Sequence, residues 1–456
     1  MKRIYFSFVL VIALLVMGMP VSAAGTAHTI GVNVVLNTKI TASILSDLNG
    51  KGQVLDVLDE INALSMRIRS DRLAAVRALP YVAAANPDAA RRGSPIDTVA
   101  AADFSDGLST WNLDAINVTD YGYDNRTTGY DGSGVYVAVL DTGLVDSWRQ
   151  YFPEEQIAVN YARSFSGGGG EKGNVSEQPN KWEHDQDSHG THVTSTILGY
   201  NLNGSAVNGV APMATIIPVK VLNQNGSGWS SVIARGILYI AELKAGSLAD
   251  YPVVINMSLG GSGLDALEKA AIDYAIAQGV IIVASAGNEG TAGMGYPGAY
   301  APVISVAAAG WRGEWPSGEN SWWYDQDVGD PTAASDFYIT SFSSRALSGQ
   351  DLDVAAPGSW IVGPYQVNSG HLSYYFLGGT SMASPHVAGL TALMLQKDPD
   401  LTAAEAEDIL ESSATPLPAG SCSVRSSDGT TEMITWGADA TGSGLANAVA
   451  ALDLVP

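Results

Sequence analysis

Cysteine is almost missing from this chain of 456 residues: Cys422 is the only one. No intramolecular disulfide can form, and stability is left to packing and bound metal ions. Basic side chains are also scarce, with 23 Lys+Arg against 46 Asp+Glu and a formal net charge of −23. That balance excludes nucleic acid as a partner. Charged residues make up only 15% of the chain and apolar ones 46%, the reverse of a disordered composition. The 50 glycines follow no repeating period, which excludes a fibre and points to many tight turns. After the first two dozen residues no apolar run approaches membrane-spanning length, so no membrane anchor is expected.

The scarce positive charge is unevenly placed. Residues 1–100 carry 10 basic and 7 acidic residues, whereas residues 101–456 carry 13 and 39, so the two parts differ in sign. Met1-Lys2-Arg3, an apolar run from Ile4 to Met19, Pro20 and the small residues Val21-Ser22-Ala23-Ala24 read as a secretory signal over 1–23. The expected localisation is extracellular. Residues 24–106 read as a small α+β domain: a strand over His28–Leu36, a helix over Ile40–Leu58, a strand over Ala63–Ile68, a helix over Asp71–Leu79 and a strand at Tyr81-Val82-Ala83. The polar, turn-rich run from Asn86 to Pro95 reads as an exposed linker where proteolysis concentrates. The remainder, residues 107–456, follows as one large domain.

Three stretches of this remainder carry chemistry. Val135–Leu140 is a short apolar run ending in Asp141-Thr142-Gly143, which reads as a buried parallel strand with a carboxylate at its carboxyl end, where α/β sheets build sites. Alone, that Asp is also compatible with aspartic proteases, phosphatases and nucleotide binders. His189-Gly190-Thr191-His192-Val193 opens a predicted helix that Ser188 can cap. His189 and His192 lack the i, i+4 spacing and intervening Glu of a zinc protease. In Gly378–Gly389, Pro385 belongs in a first helical turn, which places Ser381 at a helix N-terminus among free N–H groups that stabilise developing negative charge.

Through VAVLDTGL (137–144), HGTHV (189–193) and GTSMASPHVAG (379–389), and through the order Asp, His, Ser, the sequence resembles the subtilisin-like serine proteases. The resemblance implies an α/β fold of three layers with a mostly parallel central sheet, preceded by an inhibitor-like propeptide domain. It implies a secreted serine endopeptidase made as a self-processing zymogen, with Asp141 orienting the imidazole, His189 as general base and Ser381 as nucleophile. Asn288, in Ser285-Ala286-Gly287-Asn288-Glu289-Gly290 after an apolar run at 280–284, matches the family's oxyanion-hole Asn.

Gly226-Ser227-Gly228 and Ser258-Leu259-Gly260 resemble the two backbone segments that hold an extended peptide, and Gly295 the wall of a roomy specificity pocket. A large apolar or aromatic P1 residue is then expected, with Glu289 at the rim admitting Lys. The chemistry requires no cofactor. The resemblance also implies a structural calcium with Asn203 as an oxygen donor, although Gln150 stands where the family's main site has an Asp. Protein or peptide substrates and the chain's own propeptide are the expected partners, and a monomer the expected state. Two alternatives come from other classes: an inactive subtilase-fold binding protein, or a specialised processing protease. A sedolisin-like serine-carboxyl peptidase is disfavoured by His189 and Asn288. The tryptophan-rich segment from Gly310 to Tyr338 reads as a decorated surface loop, with a lid as the alternative.

Overall fold

The computed structural model describes residues 28–92, 97–100, 109–122, 125–165, 175–316, 320–367 and 371–456. The stretch read as a signal lies outside the described residues. The first unit runs β1 (Thr29–Leu36), α1 (Ala42–Lys51), β2 (Gly52–Leu58), β3 (Ala63–Arg69), α2 (Leu73–Arg77) and β4 (Val82–Pro87). Its antiparallel sheet has the order β2-β3-β1-β4. The helix expected over Ile40–Leu58 is cut in half. Asn49, Gly50 and Gly52 are poor helix formers, and the β-branched Val54 and Val57 that follow suit a strand.

The period of two along β1 and β3 gives this sheet two different faces. Val32, Val34, Leu64, Met66 and Ile68 form one core with Leu48 of α1 and Val76 of α2. On the other face Val35, Leu58, Ile61 and Ala63 join the apolar cluster of the large domain. Asn33, also on that face, is buried and donates to Asp88 at 3.0 Å and to Asp265 at 2.9 Å.

The large unit continues with β5 (Ala90–Arg92), β6 (Asp97–Ala100), α3 (Trp111–Ala115), β7 (Tyr136–Asp141), β8 (Arg163–Ser164), α4 (His189–Leu198), β9 (Gly199–Leu202), β10 (Ser205–Asn208) and β11 (Thr215–Lys220). Then come β12 (Ser227–Trp229), α5 (Ser230–Ala245), β13 (Val253–Met257), α6 (Ala266–Ala277), β14 (Val280–Ser285), β15 (Ile304–Trp311) and α7 (Trp322–Asp325). The last stretch holds β16 (Phe337–Ile339), β17 (Val354–Pro357), β18 (Ile361–Val367), β19 (His371–Gly378), α8 (Thr380–Lys397) and α9 (Ala403–Ser413).

The central sheet of eight strands runs β16-β15-β14-β13-β7-β11-β8, with β17 also on β15, and every pair except β15–β16 is parallel. Its middle strands are buried on both faces, as their unbroken apolar runs require. Helices α5 and α6 cover one face, and α4 and α8 the other. The first unit's sheet lies against α6.

Two further expectations fail here. The run from Asn86 onward is not an exposed linker as far as Arg92, because Asp88 and Arg91 are 7% and 1% exposed and Ala90–Arg92 is paired as a strand. The tryptophan-rich segment is neither lid nor surface loop. Trp311, Trp315, Trp322 and Trp323 are all buried, Trp322 stacks on Phe376 at 5.9 Å, and Trp111 of α3 lies 6.2 Å from Trp322. Large aromatic rings gain more by mutual burial than any loop at the surface can offer them.

Candidate active site

The parallel sheet brings its carboxyl ends to one edge, and each chemical residue follows from that edge. Asp141 ends β7, opposite Lys220 in the register of β11. Ser258 follows β13, Asn288 comes three residues after β14, and His189 and Ser381 open α4 and α8. The link between β7 and α4 is made of the sequence's own small residues. Gly190 N–H donates to Thr142 Oγ1 at 2.8 Å, and Thr142 donates to Asp185 at 2.8 Å. A Cβ on Gly190 would fall 2.5 Å from the Gly143 carbonyl, so glycine is what lets helix and strand end approach.

Asp141 and His189 are fully buried, and His189 Nδ1 lies 2.8 and 3.0 Å from the two carboxylate oxygens. Thr142 N–H donates to Asp141 Oδ1 at 2.7 Å, which fixes the carboxylate. Burial alone pushes the imidazole down, but Asp141, with Asp187 and Asp185 behind it, outweighs burial and raises it above 6.5. Beneath this pair sits a second layer that the sequence reading did not single out. Burial pushes Asp185 up to about 7 and pushes Lys220 down, and each draws the other back. The Lys220 ammonium donates to the Thr142 carbonyl. An Asp and a Lys far apart in sequence give no signal of their meeting.

His189 Nε2, on the far side of the ring, has no hydrogen-bond partner. Ser381 Oγ donates instead to the Ser258 carbonyl at 3.2 Å. In resting serine hydrolases the nucleophile–base hydrogen bond is commonly unformed or long, and it tightens with substrate. Pro385 is not in the first turn as expected: α8 begins at Thr380, so Pro385 is its sixth residue. Lacking an N–H, Pro385 leaves the Ser381 carbonyl without its i+4 donor. Ser258 Oγ supplies that donor at 2.8 Å. Ser258 is in turn held by Asn256, which accepts from Ser384 at 2.7 Å.

Asn288 is turned by Thr380, whose N–H and Oγ1 donate to its Oδ1 at 2.9 and 3.0 Å. That commits the carbonyl end and leaves the amide end facing the Ser381 backbone. A Cβ built on Gly379 would lie 3.6 Å from Asn288 Nδ2 and 3.7 Å from Ser381 N, so the two donors look into one space. Ser188 sits before α4 in a left-handed conformation with φ 73° and does not cap it. Its hydroxyl accepts from Gln366 N–H, and Asp187 accepts from His189 N–H at 3.3 Å instead. His192 and His386 are buried and pushed down to about 3 and about 4, chiefly by desolvation. They stay neutral, and His192 bonds to the Ile361 carbonyl.

The cleft segments lie beside these groups. Ser227, Gly228 and Trp229 of β12 pair antiparallel with Arg92, Arg91 and Ala90, and Gly226 opens that strand in a left-handed turn with φ 63°. On the other side the Ala90 carbonyl comes against Gly261, which follows Ser258, Leu259 and Gly260. Leu259 is buried, and Gly260 faces Gly295. Gly295 lines a cavity of about 440 Å³ with Glu289, Met294 and Tyr296. Glu289 is exposed, but its Oε2 accepts from Asn288 N–H at 2.7 Å and from Ser344 Oγ at 3.1 Å, so the carboxylate folds onto its own loop. Sequence reasoning missed Glu268 of α6, which forms a buried ion pair with Arg91.

For a cation, the expected donors fit poorly. Asn203 forms the turn of the β9–β10 hairpin, in which Asn201 Oδ1 already accepts from Gly204, and the Gln150 carbonyl accepts from Asn201. Acidic groups instead gather at Asp351, Asp353 and Glu407, and at Asp114, Asp120 and Asp327. Asp353 is 1% exposed with its Oδ1 unpartnered.

Residues 132–437 match the subtilase family, peptidase S8. The chain belongs to the subtilase family. It is 37% identical to subtilisin DY of Bacillus licheniformis over 297 residues, 64% of this chain and 88% of that relative. It is equally similar to subtilisin E of Bacillus subtilis (strain 168), over 64% of this chain and 63% of that one. Among solved structures, fervidolysin from Fervidobacterium pennivorans, a keratinolytic enzyme, superposes with a TM-score of 0.65 at 25% identity, covering 95% of this chain and 62% of that one. Sphericase superposes at 0.54 and 30% identity, covering 74% of this chain and 97% of that one. This subtilase is a serine endopeptidase with the subtilisin-like fold, and subtilisin chemistry needs no cofactor. No helix among the described residues is long and apolar enough to cross a membrane.

Proposed function

We propose that this subtilase is a secreted endopeptidase made as a self-processing zymogen, in which Ser381, His189 and Asp141 form the catalytic triad. Ser381 Oγ attacks the scissile carbonyl while His189 Nε2 takes its proton; the imidazolium then gives that proton to the leaving amine. Water, activated by the same nitrogen, releases the acyl group. Asp141 holds the ring so that Nε2 faces the cleft, and its charge stabilises the imidazolium. The oxyanion is received by Asn288 Nδ2 and the Ser381 N–H. The observation that carries this reading is the buried Asp141–His189 pair at 2.8 Å, with an unpartnered Nε2, on the sheet edge where Asn288 and Ser381 N converge.

Residues 24–106 act as the propeptide and 107–456 as the peptidase, and self-cleavage falls between Ala90 and Ser109. Strand β5 lying on β12 supports this, because it is where an extended substrate would bind. Gly226–Gly228 and Ser258–Gly260 are the walls of that cleft, with Gly295 in a pocket for a large apolar P1 side chain. The Glu289 carboxylate, already engaged, contributes little to Lys recognition. Calcium, a hard cation that prefers oxygen ligands, fits Asp351, Asp353 and Glu407 better than the hairpin at Asn203.

The decisive test is Ser381→Ala, assayed on casein. Triad members act as a unit, so turnover should fall by about 10⁶, the magnitude known for subtilisin itself. Activity within about tenfold of wild type would remove Ser381 from the reaction. Asn288→Ala should cost about 10² to 10³ in kcat, again as in subtilisin, and an unchanged kcat would remove it from the oxyanion site.

A further inference from the structure

Arg91 is the second residue of a three-residue strand, yet neither its side chain nor that of Glu268 has any exposure to solvent. Nε donates to Glu268 Oε2 at 3.0 Å and to Oε1 at 3.3 Å, and Nη2 reaches Oε2 at 2.5 Å. Nη2 also donates to the Gly263 carbonyl at 2.8 Å, and Nη1 to the Ala90 carbonyl at 3.1 Å. The guanidinium therefore fills a built socket with acceptors on several sides. Its wall is glycine for a reason: a Cβ on Gly261 would fall 2.7 Å from Nη1. Asp265, 1% exposed, caps the first turn of α6 through Leu267 N–H and adds a second carboxylate to the same end.

The socket belongs to the peptidase unit, while its occupant belongs to a strand held on β12 by main-chain pairing that any extended peptide can reproduce. Once that strand leaves, Glu268 has lost its cation, and an unpaired buried carboxylate is costly. A substrate bound in the same register puts a side chain into the same socket. We infer that Glu268 is a specificity-determining residue, and that this protease selects peptide substrates with arginine at the position that Arg91 occupies, upstream of the scissile bond. The planar fork matches a carboxylate flanked by carbonyls, which a lysine ammonium meets less well. This inference rests on the reading of β12 and Ser258–Gly260 as the substrate cleft.

The test uses internally quenched peptides in which Arg, Lys, Leu or Glu stands at each position before the scissile bond in turn, with casein hydrolysis measured in parallel. For the matured wild-type enzyme, Arg at one position should raise kcat/KM about 10- to 100-fold over Leu, the range expected of hydrogen bonds to a charged group. Lys should gain less and Glu should lose. Glu268→Gln should abolish the Arg gain, leaving Arg no better than Leu at that position. If that variant fails to mature because Arg91 is loosened, the double variant Arg91→Leu/Glu268→Leu restores an apolar match and should mature without an Arg preference. No Arg preference in wild type, or one that survives either variant, overturns the role of Glu268 while Ser381-dependent casein hydrolysis stands. Loss of casein hydrolysis in wild type instead overturns the reading of the site itself.

Discussion

If His189 is the general base, Asp187, outside the proposed triad, should tune it. It accepts from His189 N–H and adds its charge to that of Asp141, so it helps hold the imidazole above its ordinary value. A general base works only when neutral. Because the folded pKa is raised, kcat/KM should fall as pH drops, with the midpoint of the acid limb above 6.5. Asp187→Asn keeps an oxygen acceptor for the N–H but removes the charge, so the limb should move to lower pH. A pH profile of kcat/KM on a neutral peptide checks this; an unmoved limb would mean that Asp187 does not act on His189. At the same scale, Ser258 carries two duties. It satisfies the carbonyl that Pro385 orphans, and its own carbonyl receives the Ser381 hydroxyl at rest.

Among the elements, α8 depends on what packs before it. The strand β19 leads directly into Gly379 and Ser381, and its Phe376 is stacked on Trp322 and 4.7 Å from Trp315. Trp111 of α3 and Trp311 of β15 close the same aromatic cluster. Trp322→Ala should therefore cost about 3–5 kcal/mol, as for other large-to-small changes in a core. Urea unfolding in a Ser381→Ala background, which prevents autolysis, measures it. A loss below about 1 kcal/mol would show that the rings are a surface decoration after all.

For the whole molecule, docking of the first unit combines apolar and polar terms. Leu58 and Ala63 join the peptidase core, while Asp88 accepts from Ser231 N–H and both Ser230 and Ser231 hydroxyls at the start of α5. A carboxylate at a helix N-terminus is favoured by the free N–H groups there. If the enzyme processes itself, purified Ser381→Ala should keep its propeptide covalently attached, as read by intact mass. Cleavage without added protease would sink self-processing. Burial, with neighbouring carboxylates adding to it, raises Asp353 to about 7 and Glu407 to about 8. Calcium should relieve that crowding and raise the thermal midpoint relative to EDTA, and Asp353→Asn should remove most of the shift. Equal midpoints would mean that the acidic body uses its charge only for solvation.

The placing of Asp141, His189, Ser381 and Asn288 along one sheet edge was legible because each lies in a contiguous string at a strand end or helix start, so that local sequence states the backbone geometry. The same holds for the α/β fold, written in short apolar runs bounded by glycine. The boundary of α1 was harder, since one apolar pattern served both a helix and a strand. What only the tertiary structure decided are the meetings between distant positions: Lys220 beneath Asp141, Ser258 on the carbonyl orphaned by Pro385, the tryptophans closing on Phe376, and Arg91 in the socket of Glu268, 177 residues away. A buried charge or an unpaired carbonyl must find its partner wherever the fold brings one, and no local pattern encodes that partner.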